Sequence, residues 1–284
     1  MEHQIQVDRA RAFRAMHGRG RHGGNPVLLL PNAWDAGSAR LFAQRGFAAI
    51  ATTSGGMAWS LGHADGEQAP LAEVLAAIAR MTRVVELPLT VDIETGYGDT
   101  PQAVAGTVQA VIAAGAVGIN IEDGAAGHGP LRPVAEAVAR VRAAREAADA
   151  SGVPIVINAR VDHWLQPEAI DPAGRLDDAV QRGKAYLAAG ADCIYPIGLG
   201  DRAILAALAQ ALDAPINVAA GAGMPDLAEL ARLGVARVST ATRLATLALG
   251  AVDRAVRVML ESGRFDGLTA DFSYADAQRL FVPD

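Results

Sequence analysis

The spacing of short β-rich runs constrains the fold of this 284-residue chain more than any other feature. Eight such runs recur about every 20 to 35 residues, and Ala-rich segments with helical spacing separate most of them. The predicted strands are residues 27–30, 48–52, 87–93, 118–121, 154–158, 192–195, 216–218 and 235–239. The predicted helices are residues 71–85, 101–114, 134–150, 176–189, 203–212, 226–233 and 242–260. This alternation predicts an α/β fold with a parallel sheet.

Polar residues follow many of the predicted strands instead of gathering at one crossover of the sheet. That distribution favours a closed (β/α)8 TIM barrel over an open doubly wound sheet. The apolar fraction of 51% suits one large core. We predict a catalytic barrel over residues 1–260 and a C-terminal segment, residues 261–284, that packs on the barrel or on a neighbouring subunit.

Four glycines sit between a predicted helix and the strand that follows it, at positions where the chain must turn back toward the barrel. They are Gly115, Gly152, Gly190 and Gly234. A left-handed residue commonly ends a helix, and glycine adopts that conformation without a steric penalty. These positions therefore predict helix ends.

Charge and cysteine content exclude several classes of protein. The net charge of −6 argues against a nucleic-acid-binding surface, which needs clustered Lys and Arg. No signal-peptide-like or membrane-length apolar run opens the chain, so we expect a cytoplasmic protein without membrane partners. The single cysteine, Cys193, lies in an apolar run, and we interpret it as a buried structural residue and not as a nucleophile.

Acidic residues follow two neighbouring predicted strands. Asp92 and Glu94 are two residues apart and point to one face of a strand, and Glu122 follows the next strand. Carboxylates crowded at a barrel mouth repel one another, and Mg²⁺ with several retained waters would relieve that repulsion. The pattern predicts a metal or substrate site; the alternative is that these acids are loop caps or exposed ion-pair partners.

Two further elements could bind an anionic substrate at the same end of the barrel. Arg160 follows the fifth predicted strand, and its planar fork suits a carboxylate or a phosphonate, although it could instead neutralise Glu122 or Asp162. Ser54, Gly55 and Gly56 follow the second strand, where a hydroxyl and backbone N–H groups can bind a carboxylate. A purely conformational role for these glycines is the alternative.

Taken in order, these segments resemble the isocitrate lyase and phosphoenolpyruvate mutase superfamily, from residue 31 to about residue 267. The matching segments are residues 31–35, 53–57, 92–98, 121–123 and 158–162. The resemblance implies a TIM barrel whose eighth helix is swapped between the subunits of a homotetramer.

The resemblance also implies roles for single residues. Ser54, Gly55 and Gly56 would bind the substrate carboxylate, and Arg160 and Asn217 would also contact substrate. Mg²⁺, or Mn²⁺ in its place, would be held at a site formed by Asp92, Glu94, Asp65 and Glu122, with Asp92 as the principal acid. Arg160, Glu122 and His128 are the predicted catalytic residues.

The chain departs from this superfamily after Glu122. The isocitrate and methylisocitrate lyases carry a loop with Lys, Cys, Gly and His there, and its Cys is the general acid; residues 123–128 read Asp, Gly, Ala, Ala, Gly, His. The Asn-containing gating loop of the mutase and phosphonate hydrolases is also missing. His128 could supply the proton, or it could be a loop histidine without a chemical role.

These observations predict a Mg²⁺-dependent carbon–carbon lyase or decarboxylase that acts on a small 2-oxo or 2-hydroxy carboxylate through a metal-stabilised enolate. One alternative is a phosphonate-processing enzyme similar to phosphoenolpyruvate mutase or phosphonopyruvate hydrolase. A second alternative is a noncatalytic protein that binds 2-oxo acids. Aldol addition and cleavage would use the same enolate chemistry, and these residues do not separate it from the other reactions.

Overall fold

A computed structural model describes residues 2–18, 27–126, 129–165, 171 and 174–282. The strands are β1 (Leu28–Leu30), β2 (Asn32–Ala33), β3 (Ile50–Thr52), β4 (Leu89–Asp92), β5 (Gly118–Ile121), β6 (Val156–Arg160), β7 (Cys193–Tyr195), β8 (Asn217–Ala219) and β9 (Arg237–Ser239). The helices are α1 (Glu2–Met16), α2 (Ala36–Gln44), α3 (Ser54–Leu61), α4 (Leu71–Val84), α5 (Pro101–Ala113), α6 (Val134–Ser151), α7 (Arg175–Ala188), α8 (Arg202–Leu212), α9 (Leu227–Arg232), α10 (Arg243–Ser262) and α11 (Tyr274–Arg279). Strands and α-helices alternate from β4 to α10, as predicted, whereas two helices, α3 and α4, follow β3.

The strands pair in parallel around a ring. One sheet has the order β2-β3-β4-β5-β6-β7 and the other has the order β1-β9-β8. Strands β1 and β2 lie on either side of Pro31, whose carbonyl accepts a hydrogen bond from the Ala51 N–H at 3.0 Å, so together they form the first barrel strand. A parallel bridge between Ile194 and Ile216 joins β7 to the strand that follows it. The predicted TIM-barrel fold is confirmed.

The sequence located the barrel strands and the turns that precede them. Each of the eight predicted strands overlaps an observed strand, and β2 extends the first of them beyond Pro31. Gly115, Gly152, Gly190 and Gly234 have φ angles of 98°, 73°, 107° and 89°. These left-handed values confirm the predicted helix ends, because a residue with a Cβ would be strained there.

Helix α1 was not predicted, since its sequence is polar on average and lies ahead of the first strand. Its residues Val7, Ala10 and Phe13 are buried, and the Gln6 side-chain amide donates to the carbonyls of Ile112 and Ala116. Those carbonyls precede β5, so α1 lies against the N-terminal end of the barrel. In a TIM barrel this end contributes stability, and the opposite end carries the site.

Polar side chains occupy the interior of the barrel. Asn120 Oδ1 accepts hydrogen bonds from Asn158 Nδ2 at 2.8 Å and from Arg237 Nη2 at 3.2 Å. All three residues are at most 3% exposed. This network joins β5, β6 and β9 inside the barrel. It lies next to the C-terminal end of the strands, where the acidic residues are.

Helix α10 is poorly covered by the rest of the chain. Ala245 is its one buried residue, whereas Leu247 is 63% exposed and Leu260 is 82% exposed. Farther along, Leu280 is buried and its carbonyl accepts a hydrogen bond from Arg40 Nε of α2. The described part of residues 261–284 thus contacts the barrel, while α10 presents an apolar face outward. No helix in the described part of the chain is long and apolar enough to cross a membrane.

Candidate active site

The candidate site lies where β4, β5 and β6 end. Because neighbouring strands are parallel, Asp92 at the end of β4, Glu122 just after β5 and Arg160 at the end of β6 all meet at the C-terminal end of the barrel. Asp92 is in register with Asn120, two residues before Glu122. The structure therefore brings together the three side chains that the sequence placed at neighbouring strand ends.

Asp92 is fixed by two hydrogen bonds, one to the neighbouring strand β3 and one within its own loop. Its N–H donates to Thr52 Oγ1 at 2.9 Å, and its Oδ1 accepts from the Glu94 N–H at 3.0 Å. Burial raises the pKa of Asp92, and the charge of Asp65 adds to this, while Arg160 and a hydrogen bond from Asn120 act in the opposite direction. Ionised Asp92 therefore needs nearby positive charge.

Glu94 lies next to Asp92 and is only 3% exposed. Burial, followed by the charges of Asp92 and Asp65, raises its pKa to about 7. Tyr97 donates its hydroxyl to Glu94 Oε1 at 3.0 Å, and the Glu67 N–H donates to Oε2 at 2.6 Å. Because the charges of Asp92 and Asp65 both raise the pKa of Glu94, the two acids lie close to it at the barrel mouth.

Arg160 is the cation of this region. Its Nη2 lies 2.6 Å from Glu122 Oε2, and its guanidinium donates to both carboxylate oxygens of Asp162 at 3.0 and 2.7 Å. Burial alone lowers the pKa of Arg160, but Asp162, Glu122 and Asp92 together raise it well above its usual value. Arg160 therefore remains charged, and it neutralises Glu122 and Asp162, as the alternative interpretation of the sequence proposed.

A second network lies behind Arg160 and was not found from the sequence. Asp123 Oδ1 accepts the Asp162 N–H at 3.0 Å, and Oδ2 accepts the Tyr186 hydroxyl at 2.7 Å and Arg182 Nη1 at 3.3 Å. These contacts fix the turn that follows β6. Tyr186 and Arg182 are both on α7 and four residues apart, which is the spacing of one helix face. Nothing in this spacing indicates that their partner is Asp123.

Ser54, Gly55 and Gly56 form the first turn of α3 and are not an irregular loop. Thr53 precedes the helix, and its Oγ1 accepts the Gly56 N–H at 3.4 Å. A Cβ at Gly56 would lie 2.7 Å from Thr53 Cγ2, so this glycine is required for packing. A Cβ at Gly55 would lie 3.1 Å from Asp65 Oδ2, which places Gly55 against the acidic cluster.

The two remaining predicted site residues are Asn217 and His128. Asn217 is fully buried in the barrel and exchanges side-chain hydrogen bonds with Ser239, 3.2 and 3.3 Å long. Its contact with substrate stays a prediction. His128 and the preceding Gly127 lie outside the described residues. On either side of them, Gly124 and Leu131 form an antiparallel bridge.

The donor set fits a hydrated divalent cation better than a fully protein-ligated one. Within the described ranges, no three His, Cys, Asp or Glu side chains are grouped closely enough to hold a metal ion. Mg²⁺ commonly keeps several waters and uses one or two carboxylates, and that is the chemistry that Asp92 and its acidic neighbours offer. Glu122 is engaged by Arg160, so a contact through water suits it better than direct ligation.

The comparison with known proteins agrees with this geometry. Residues 13–260 match the family model described as phosphoenolpyruvate phosphomutase. This region contains all nine described strands. The chain belongs to the phosphoenolpyruvate mutase/isocitrate lyase superfamily. The resemblance seen in the sequence is thereby confirmed.

Relatives in this superfamily have several activities. An uncharacterized protein of Mycobacterium tuberculosis (strain ATCC 25618 / H37Rv) is 35% identical over 95% of this chain and 96% of its own length. The 2-methylisocitrate lyase of Escherichia coli (strain K12) is 38% identical over 68% of this chain and 64% of its own length. The oxaloacetate decarboxylase of Rhodopseudomonas palustris (strain TIE-1) is 33% identical over 64% and 62%. The matches to these two enzymes thus cover just under two thirds of their length.

Solved structures of the superfamily share the fold over almost the whole chain. A structure from Burkholderia cenocepacia J2315, provisionally described as a lyase/mutase, is 39% identical with a TM-score of 0.89 and covers 99% of this chain and 98% of its own. A 2,3-dimethylmalate lyase is 25% identical with a TM-score of 0.81 over 96% and 94%. A phosphonopyruvate hydrolase in complex with oxalate and Mg²⁺ is 25% identical with a TM-score of 0.78 over the same shares.

Proposed function

We propose that this protein is a Mg²⁺-dependent carbon–carbon lyase or decarboxylase that acts on a small 2-oxo or 2-hydroxy carboxylate. One observation carries the proposal: a buried, charged Arg160 lies beside the acidic cluster of Asp92, Glu94 and Asp65 at the barrel mouth. An anionic substrate suits such a site, because Arg160 and a divalent cation bound by the acids would both attract its negative charge. The named activities of the superfamily relatives, on isocitrate-like and oxaloacetate substrates, support this substrate class.

Arg160 would bind and orient the substrate oxygens. Its guanidinium is held on one side by Asp162 and Glu122, so its position does not depend on substrate binding. Preorganised charge of this kind stabilises negative charge that develops in a transition state, without rearrangement of the protein. Asp123 supports the arrangement, because it fixes the backbone of Asp162.

The first turn of α3 would receive one end of the substrate. A helix N-terminus carries a partial positive charge and favours a carboxylate. The glycine at position 55 lets this turn approach Asp65 closely, because a Cβ there would lie 3.1 Å from Asp65 Oδ2. Ser54 and Gly55 are therefore better placed for binding than Gly56, whose role is packing.

Asp92, Glu94 and Asp65 would hold the divalent cation together with the waters that it retains, with Glu122 at its edge. When bound, the cation would supply electrostatic stabilisation of negative charge on the reacting oxygens. Its charge would also offset the repulsion and burial that raise the pKa values of Asp92 and Glu94. The Mg²⁺ and oxalate in the related phosphonopyruvate hydrolase support the same pairing of metal and small dicarboxylate.

Product analysis by NMR would test the proposal. Oxaloacetate, 2-methylisocitrate and phosphonopyruvate would each be incubated with the protein in Mg²⁺ and in a chelator. Turnover of either carbon acid that requires Mg²⁺ is the expected result. Turnover of phosphonopyruvate alone would favour phosphonate chemistry, and saturable binding without any product would favour a 2-oxo-acid-binding protein.

We also propose that the protein forms a homotetramer in which α10 packs on a second copy of the chain. The exposed residues of α10 support this, because Leu247, Leu249 and Val252 are each more than half exposed on a helix that has one buried residue. Large apolar patches on a single chain commonly mark an interface. Nucleic acid is not expected as a partner, given the net charge of −6.

A further inference from the structure

Two loops at the barrel mouth are tied to each other through Glu67. Its backbone N–H donates to Glu94 Oε2 at 2.6 Å. In the reverse direction, Glu67 Oε1 accepts hydrogen bonds from the Thr95 N–H at 3.0 Å, the Thr95 hydroxyl at 2.6 Å and the Tyr97 N–H at 2.9 Å. One residue of the loop before α4 therefore makes four contacts with the loop after β4.

The loop after β4 is also bound from its other side. Arg140 of α6 donates through Nη2 to the carbonyls of Thr95 and Gly98, each at 2.6 Å. Arg140 is 1% exposed. A carboxylate thus binds the N–H groups of this loop, and a buried guanidinium binds its carbonyl groups. Charge-assisted hydrogen bonds of both kinds are stronger than neutral ones.

The backbone of these two loops adopts unfavourable dihedral angles, which strong contacts must maintain. Glu67, Glu94 and Tyr97 have φ angles of 61°, 51° and 53°, and they are three of the five non-glycine residues with positive φ in the part of the chain that the structure describes. This conformation is unfavourable for residues with a Cβ, and it persists only where surrounding contacts determine it. Without the Glu67 carboxylate, the Tyr97 N–H and both donors of Thr95, the residue that follows Glu94, lose their acceptor.

We propose that Glu67 is a positioning residue for the metal-site acids. Its carboxylate holds the loop that carries Glu94, and its backbone orients the Glu94 carboxylate directly. Asp65, two residues earlier on the same loop, is brought to the site by the same connection. The proposal rests on the function proposed above and adds a residue that neither the sequence motifs nor the proposed metal ligands include.

Metal binding to the substrate-free protein tests the proposal. Titration calorimetry with Mn²⁺ would compare the wild type with Glu67→Ala and Glu67→Gln. Loss of an outer partner of a metal site commonly weakens affinity by about 10-fold to 100-fold, and we expect that loss for Glu67→Ala. Glu67→Gln keeps an oxygen acceptor in place of Oε1, and we expect its dissociation constant to stay within about threefold of the wild type.

Two further variants keep the result interpretable. Thr95→Val removes one donor to Glu67 and leaves the charge in place, so it tests the same contact if Glu67→Ala does not fold; we expect weaker Mn²⁺ binding, by several fold. Glu86→Ala, on an exposed glutamate away from these contacts, is the matched control and should bind Mn²⁺ as the wild type does.

The outcomes separate this inference from the function on which it rests. Wild-type affinity in folded Glu67→Ala, or in Thr95→Val if the first variant fails to fold, would overturn the positioning role alone. Equal damage from Glu67→Gln and Glu67→Ala would also overturn it, because the lost negative charge would then weaken cation binding whether or not an acceptor holds the loop. Absence of saturable Mn²⁺ binding by the wild type would overturn the proposed metal-dependent function and this inference with it.

Discussion

Arg160 and Glu122 form an ion pair of 2.6 Å inside the barrel mouth, and their side chains are only 6% and 9% exposed. The guanidinium is shared with Asp162, so one cation balances two buried carboxylates. Removal of one partner from such a group leaves uncompensated buried charge. A substitution at Arg160 should therefore change both the stability of the barrel and its catalytic activity.

Arg160→Ala should lower both turnover and stability. We expect kcat/KM to fall at least about 100-fold, and the free energy of unfolding to fall by about 3 kcal/mol, because Glu122 and Asp162 lose their counter-charge. Urea unfolding and steady-state kinetics would measure the two effects. In Arg160→Ala/Glu122→Gln the loss of stability should be smaller than the sum of the single changes.

The exposed pair of Arg202 and Glu229 offers a matched control, since Arg202 is 60% exposed. Arg202→Ala should change stability by less than about 1 kcal/mol and leave turnover unaltered. Equal effects of Arg160→Ala and Arg202→Ala would show that the buried pair has no special role.

In the metal-free protein, the free energy of unfolding should decrease as pH rises, and Glu94→Gln should make this decrease smaller. The pKa of Glu94 is raised to about 7, so the native state retains a proton that the unfolded chain releases near its usual pKa. Stability from this group is therefore greatest at low pH and is lost between about pH 4.5 and pH 7. We expect Glu94→Gln to remove about 2 kcal/mol of the decline between pH 5 and pH 8.

Urea unfolding in the presence of a chelator, at several pH values, would measure this difference. The same variant should lose most of its Mg²⁺-dependent turnover at every pH. A wild type and a variant with parallel stability profiles would contradict the assignment of Glu94 as a buried, strained acid.

His17 should make the protein sensitive to acid. Burial, with the charge of Arg237, lowers its pKa to about 3, although Nδ1 donates a hydrogen bond to the Phe13 carbonyl at 2.8 Å. The unfolded chain binds a proton near pH 6.5 and the native state does not, so stability falls as pH drops below about 6.5. Between pH 7 and pH 5 the expected loss is about 2 kcal/mol.

His17→Asn removes the titrating group, and its stability should change less over this interval. Exposed His3 at the other end of α1 is the control position, and His3→Asn should keep the wild-type profile. Identical acid sensitivity in all three proteins would mean that another group causes the decline.

Cys193 should be inert in the folded protein. It is fully buried on β7, and burial raises the pKa of its thiol to about 12. The thiolate is the reactive form, so a thiol reagent at pH 8 should label almost no cysteine in the native state and one per chain in urea. Rapid native labelling would contradict the structural role that the sequence predicted.

Charge placed on α10 should dissociate the proposed tetramer. Leu249→Glu and Leu260→Glu alter side chains that are 57% and 82% exposed, so they should not harm the fold of one chain. Light scattering should show a tetramer for the wild type and smaller species for the variants. Arg254→Ala, on the same exposed helix, should remain tetrameric, and a monomeric wild type at micromolar concentration would contradict the proposal.

The sequence by itself determined the barrel. Strand runs, helical periodicity and the glycines before the strands are local signals, because each depends on the conformational preferences of a few neighbouring residues. The positions of Asp92, Glu122 and Arg160 at strand ends were equally visible, since parallel strands bring their ends to one face. Helix α1 and the first turn of α3 were missed because their apolar or capping signals are weak and depend on tertiary partners.

Only the tertiary structure decided how the site residues are partnered. The sequence left open whether Arg160 meets Glu122 or Asp162, and the structure pairs it with both. Glu67, Arg140, Asp123 and Tyr186 carried no local signal, because the partners described above lie 27 to 63 residues away. Long-range hydrogen bonds depend on how loops from different β/α units approach one another, and residue spacing within a unit does not encode that approach.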